Sequence, residues 1–96
     1  MLQLTIVMYR RYPGYEVKST IALENVGITN DEYQEKLYAL KHKLEQIIPG
    51  NYKNKYIISR DDMIIRTSVE KASEAQRALV KMEGYIKDAV NSLKLK

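Results

Sequence analysis

Two long stretches of the chain carry apolar residues at helical spacing, and each follows two short stretches in which apolar and polar residues alternate. A period of about 3.6 residues predicts an amphipathic helix, whereas a period of two predicts a half-buried strand. The pattern therefore predicts an α+β fold of order ββαββα. Two amphipathic helices packed on one face of a four-stranded antiparallel sheet would bury both apolar stripes.

The bounds of these elements follow from where each pattern stops. The predicted strands cover residues 2–10, 16–24, 52–59 and 63–69, and the predicted second helix covers residues 74–93. Pro13-Gly14 suits the two central positions of a type II turn, because proline sets φ at the first and glycine accepts a positive φ at the second. The first two strands would then form a hairpin. Pro49-Gly50 ends the first helix.

Both helices are predicted to begin with a capping box. Thr29 with Glu32, and Ser73 with Gln76, have the spacing in which a hydroxyl accepts a hydrogen bond from the backbone three residues on, and the longer side chain reaches back. Gly84 falls on the solvent side of the second helix, where glycine costs roughly 1 kcal/mol relative to alanine.

Length and composition favour one globular domain that covers residues 1–96. Hydrophobic residues make up 45% of the chain and charged residues 29%, which places it well away from disordered proteins. The absence of cysteine excludes disulfides and thiol nucleophiles. No apolar run has the length of a membrane span, and the first residues lack the pattern of a signal peptide. We therefore expect a cytoplasmic protein without membrane contact.

Few residues are suited to catalysis. His42 is the only histidine, and no second histidine or cysteine exists to form a general-base pair or a metal site with it. Asp61-Asp62 is explained by a turn, and the four glycines do not form a phosphate-binding loop. The sequence therefore predicts a protein that is not an enzyme, with no catalytic residues, no metal site and no cofactor.

Basic and aromatic residues interleave in two segments, one around the tip of the first hairpin and one at the start of the third strand. Arginine forks onto phosphate, and tyrosine offers a flat face to an unpaired base. The predicted nucleic-acid-binding residues are Arg10, Arg11, Tyr12, Tyr15, Lys18, Tyr52, Lys53 and Lys55. The same residues also suit a structural role, because tyrosine favours strands and basic side chains protect exposed sheet edges.

Residues 62–87 resemble the C-terminal half of the Pcc1 family, small α+β subunits of the KEOPS tRNA-modifying assembly. The likeness lies in a strand, a short break and Ala75-Gln76-Arg77-Ala78, in which Arg77 and Ala78 match the family's Arg-Ala pair. Gln76 stands where the family usually has leucine. The resemblance implies a non-catalytic, dimerising subunit that helps to hold tRNA.

Two functions are therefore expected. The first is contact with single-stranded DNA or RNA through the basic and aromatic hairpin, which the net charge of +4 permits. The second is a protein-interaction or assembly subunit, either Pcc1-like within a larger complex or a small adaptor or inhibitor of the viral or plasmid type. A homodimer is expected in both, because so small a chain leaves sheet edges open.

Overall fold

The computed structural model describes residues 2–95. Its elements are β1 (Gln3–Arg11), β2 (Gly14–Ala22), α1 (Asn30–Ile47), β3 (Lys53–Ile58), β4 (Met63–Val69) and α2 (Ala72–Ser92). The four strands form one antiparallel sheet in the order β1-β2-β4-β3. The predicted α+β fold of order ββαββα is confirmed. Both β2 and α2 begin two residues earlier than their patterns predicted.

The two central strands, β2 and β4, join the first hairpin to the second. Ser19 pairs with Ile65 and Ile21 with Met63, and all four side chains are buried beneath the helices. Helix α2 lies mainly over β1 and β2, whereas α1 contacts β3 and α2. Helix α1, which follows the first hairpin, therefore packs against the second, and α2, which follows the second hairpin, packs mainly against the first. This exchange interlocks the two hairpin–helix units.

The core consists mainly of the two predicted helical stripes and the inward side chains of the central strands. The buried residues of α1 are Tyr33, Leu37, Leu40 and Leu44, and those of α2 are Ala75, Ala78, Met82, Ile86, Ala89 and Val90. Ile47, Leu79 and Leu93 belong to the same predicted stripes but are only partly buried, because they lie at the borders of the helical interface.

The start of α1 has the predicted capping box. The Thr29 hydroxyl accepts a hydrogen bond from the Glu32 N–H at 3.1 Å, and the Glu32 carboxylate accepts one from the Thr29 N–H at 3.0 Å. The hydrogen bond that the Glu32 carboxylate accepts from the Thr29 N–H, together with the Thr29 side chain, holds the pKa of Glu32 below its usual value. One turn later, the buried Tyr33 hydroxyl accepts from the Leu23 N–H at 3.0 Å and donates to the Asp61 carbonyl at 2.6 Å.

The predicted capping box of α2 is wrong. The helix begins at Ala72, and its N-cap is Lys71, whose side chain makes no capping hydrogen bond. Strand β4 continues to Val69, so the chain enters the helix before it reaches Ser73. The hydroxyl of Ser73 therefore lies inside the first turn, where it cannot act as an N-cap.

The predicted type II turn at Pro13-Gly14 is also wrong. Arg11 pairs with Gly14, so the two central residues of the turn are Tyr12 and Pro13, joined by a cis peptide bond. Gly14 is the first residue of β2 and does not have a positive φ. A Cβ atom on Gly14 would clash with the carbonyl oxygen of Val69. Glycine is therefore needed here for the close approach of two backbones.

Replacement of Thr29 by alanine is expected to lower the free energy of unfolding by about 1 kcal/mol, because the N-cap hydrogen bond is lost. The matched control is Ser73→Ala, which removes a hydroxyl from the first turn of α2 without removing a cap and should leave stability unchanged or slightly higher. Urea denaturation at neutral pH measures both.

The effect of Thr29→Ala on the free energy of unfolding should shrink as the pH falls through the lowered pKa of Glu32, because protonation of Glu32 already weakens the capping box in the wild-type protein. Equal losses in the two variants would contradict the assigned cap.

Alanine substitutions at two glycines are expected to have opposite effects. Gly14→Ala should destabilise the fold by roughly 1–3 kcal/mol, because the added methyl group meets the rigid backbone of Val69. Gly84 lies in an exposed part of α2, and an added Cβ atom meets nothing within 4 Å. Gly84→Ala should therefore raise the free energy of unfolding by up to about 1 kcal/mol. Thermal and urea denaturation distinguish the two, and a stabilised Gly14→Ala variant would contradict the close approach.

Candidate nucleic-acid interface

The face of the sheet that points away from the helices is uncovered, and we call it the open face. The residues of the open face follow from the strand register. In β2 and β4 every second side chain packs beneath the helices, and the side chains between them point to the open face. Its charged residues are Arg11, Glu16, Lys18, Lys53, Lys55 and Arg66. The open face thus carries five cations and one carboxylate, and its net charge of +4 equals that of the whole chain.

Three of these cations stand side by side across neighbouring strands. Arg66 of β4 is paired with Lys18 of β2 on one side and with Lys55 of β3 on the other. We call Lys18, Arg66 and Lys55 the cation row. Neighbouring strands lie about 4.8 Å apart, and like charges directly opposite each other destabilise a sheet. An anion that binds along the row would relieve this repulsion.

Glu16 holds two of the arginines of the open face in place. Only 3% of Glu16 is exposed, and its carboxylate accepts hydrogen bonds from the Tyr9 hydroxyl, from Arg66 at 2.8 Å and from Arg11 at 3.4 Å. Arg66 also donates to the Tyr9 hydroxyl at 3.0 Å. One carboxylate cannot neutralise two guanidinium groups, and each guanidinium has five N–H donors. Glu16 therefore orients Arg66 and Arg11 while leaving them donors for an anion.

An open concavity of about 840 Å³ adjoins the open face at the end where the first hairpin turns. The hairpin tip, the start of β3 and the start of α2 line it, since Tyr15 pairs with Val69 and Lys53 with Ser68 at this end of the sheet. Arg77 of α2 also reaches it. The two segments that the sequence indicated as basic and aromatic therefore meet at one end of the molecule.

The structure divides the eight predicted binding residues among three places. Arg11, Lys18, Lys53 and Lys55 lie on the open face, Tyr12 lies at the hairpin tip, and Arg10, Tyr15 and Tyr52 lie on the side of the helices. The Arg10 guanidinium stands 5.3 Å from the centre of the Tyr15 ring.

The three predicted stacking rings differ in how much of their surface is free. Tyr15 packs against the buried Val17, and Tyr52 contacts Tyr85 edge to face with the ring centres 6.4 Å apart. Tyr12 is 85% exposed. Tyr12 is therefore the ring among these three that can accept an unpaired base without first losing a packing contact.

Arg66 and Glu16 are the residues of this interface that sequence reasoning missed. In β4, Arg66 stands between Ile65 and Thr67, whose side chains are buried, so the alternation of the strand indicates that the Arg66 side chain points outward. The proximity of Arg66 to Lys18 and Glu16 depends on the pairing of β2 with β4, which joins residues about fifty positions apart. No local pattern in the sequence contains that information.

Replacement of Glu16 by glutamine is expected to lower the free energy of unfolding by about 1–3 kcal/mol, because a buried charged acceptor of three hydrogen bonds becomes neutral. Glu35→Gln is the matched control, since Glu35 is exposed on α1. Urea denaturation of both variants measures the difference. Equal stability of the two would show that the Glu16 hydrogen bonds do not support the fold.

Comparison of the chain with protein-family models, with curated proteins and with solved structures found no match. The resemblance to the Pcc1 family therefore stays a prediction. Of its two matching residues, Ala78 is buried on the inner face of α2 and Arg77 is exposed at the concavity. Within residues 2–95, no group of three or more potential metal ligands lies together, and no helix is long and apolar enough to cross a membrane.

Proposed function

We propose that this protein binds nucleic acid, with a preference for single-stranded DNA or RNA, through the open face of its sheet. The cation row carries the proposal. Lys18, Arg66 and Lys55 are adjacent on three strands, and no carboxylate stands within the row. Contacts to phosphate supply most of the affinity of non-specific nucleic-acid binding. A row of cations on an uncovered surface suits such contacts.

The arrangement of Arg66 supports phosphate as the ligand. Glu16 and the Tyr9 hydroxyl both accept hydrogen bonds from Nη1 of Arg66, which limits the rotamers that the side chain can adopt. A guanidinium held in this way loses less entropy when it forms paired hydrogen bonds with phosphate oxygens. Lys18 and Lys55 supply mobile charges on either side.

One exposed ring at the hairpin tip and the apolar groups of the open face favour a single strand over a duplex. Tyr12 offers a free ring at the hairpin tip, and Val7 and Ile57 expose apolar surface on the open face. Unpaired bases can stack on the ring and lie against the apolar groups, whereas paired bases cannot. Because few groups are placed to read base edges, the proposed binding has little sequence preference. It requires no cofactor and no catalytic residue, and it fits a cytoplasmic protein.

A second candidate function is that of an assembly subunit, including the Pcc1-like role. The observation that favours it is the β1 edge of the sheet, where no charged residue stands between Gln3 and Tyr9. An edge of this kind can pair with another chain. Assembly of this type depends on backbone hydrogen bonds and apolar contact, so its affinity should vary little with salt.

Replacement of both Lys18 and Lys55 by alanine should weaken binding to a labelled single strand and reduce its salt dependence. Each lost phosphate contact should lower the slope of log K against log salt by about one, so the expected change is about two. Fluorescence anisotropy over a salt series measures this with single-stranded DNA, RNA and duplex DNA. Arg66 is left intact because it also supports Glu16.

The matched control removes the same number of charges from the other side of the molecule, by replacing Lys43 on α1 and Lys81 on α2 with alanine. It should bind with nearly the affinity and salt slope of wild type. Equal slopes in the two double variants would exclude the open face as the binding surface. Lack of binding to all three probes at low salt would exclude the function, and equal affinity for duplex and single strands would exclude the preference.

A further inference from the structure

The two edges of the sheet differ in how they are protected against pairing. Each edge strand presents backbone N–H and C=O groups without partners in the sheet, and natural proteins block such edges with charged side chains, lysine above all. Strand β3 has Lys53 and Lys55 on its edge. Strand β1 has no charge from Gln3 to Tyr9, and its first arginine is Arg10. Only one edge therefore lacks the usual protection.

A groove lined by four aliphatic side chains and two charged ones runs beside this unprotected edge. It has a volume of about 380 Å³ and lies between β1 and α2; its lining residues are Leu2, Leu4, Ile6, Leu79, Glu83 and Lys87. Val80 follows Leu79 on α2 and is 67% exposed. Apolar side chains thus continue from the strand edge onto the helix above it, which extends the surface beyond the backbone groups of β1.

We propose that a second copy of this chain covers the surface, with β1 of one copy pairing antiparallel with β1 of the other. Each copy then uses the same surface to contact the other, as a twofold interface requires. Charge favours this orientation. Antiparallel pairing centred on the uncharged segment places Arg10 and Arg11 of the two copies at opposite ends, whereas parallel pairing would set all four arginines together.

The polar residues of the groove are compatible with the same arrangement. Glu83 and Lys87 form an ion pair of 2.8 Å within α2, so this part of the groove has no net charge. Two such helix flanks can approach each other about a twofold axis without net repulsion. Pairing of this kind would join two four-stranded sheets into one of eight strands, with α2 of each copy beside α2 of the other.

The dimer would also extend the binding surface. The twofold axis of an antiparallel strand pair is perpendicular to the sheet, so both open faces lie on the same side. Val7 is paired with Lys18, and the cation row continues from there through Arg66 to Lys55. The dimer therefore carries a cation row on each side of the axis, on one continuous face. The pairing itself rests on the edge and the groove, not on the proposed function.

Light scattering coupled to size exclusion tests the pairing. Wild type at micromolar concentration should have twice the 11.2 kDa mass of one chain. Val7→Lys should give a monomer, because it puts two lysines close together across the new strand pair. Val7 is 46% exposed, so the fold should tolerate the change. Ile57→Lys is the matched control, since Ile57 is 37% exposed on the other edge strand, and this variant should remain a dimer.

Val80→Lys provides a second test that does not alter the sheet, and it should weaken the dimer as well. Circular dichroism establishes that each variant is folded. A wild-type monomer at every concentration would overturn the proposal, as would a dimeric Val7→Lys variant or a monomer produced by Ile57→Lys alone. The proposed function is tested separately with Val80→Lys, because Val80 lies on α2 outside the open face and the monomer of this variant should still bind single strands in a salt-dependent way. If the wild-type protein is a dimer but binds no nucleic acid, the proposed function is wrong and the proposed pairing of β1 with β1 still holds.

Discussion

The antiparallel pairing of β2 with β4 is the contact on which the rest of the structure depends. It joins the two hairpins, and its register places Ser19 opposite Ile65 beneath the helices. Because successive side chains of a strand alternate, the same register places Lys18 opposite Arg66 on the open face. A shift by one residue would exchange the two faces and expose the core. Burial of the apolar side therefore fixes the cations beside one another.

The open face is held together by few compensating interactions. Glu16 is its one carboxylate, and it holds Arg11 and Arg66 through hydrogen bonds from both guanidinium groups. Lys18 and Lys55 have no carboxylate opposite them in the register. Stability alone would favour acidic or neutral residues at these positions, because like charges across a sheet repel. The proposed nucleic-acid ligand would relieve this repulsion with its phosphate groups.

The proposed binding and the proposed self-association would use different parts of the sheet. The cation row crosses β2, β4 and β3, whereas the uncharged edge belongs to β1. Lys53 and Lys55 serve two purposes, because they add charge to the open face and also protect the β3 edge from pairing. In the proposed dimer, an unprotected edge on one side alone would limit association to a closed pair, since the second copy would use its own β1 and leave no further edge of the same kind.

The sequence by itself determined the type and order of all six elements, the buried stripes and the cap at Thr29, because periodicity and capping depend on residues within a few positions of one another. It did not determine the turn at Tyr12 and Pro13 or the start of α2. Those features depend on where β4 ends and on how closely its backbone approaches Gly14. The tertiary structure alone placed Arg66 beside Lys18. Contacts between distant residues arise from strand pairing and the burial of a shared core, and no local pattern encodes them.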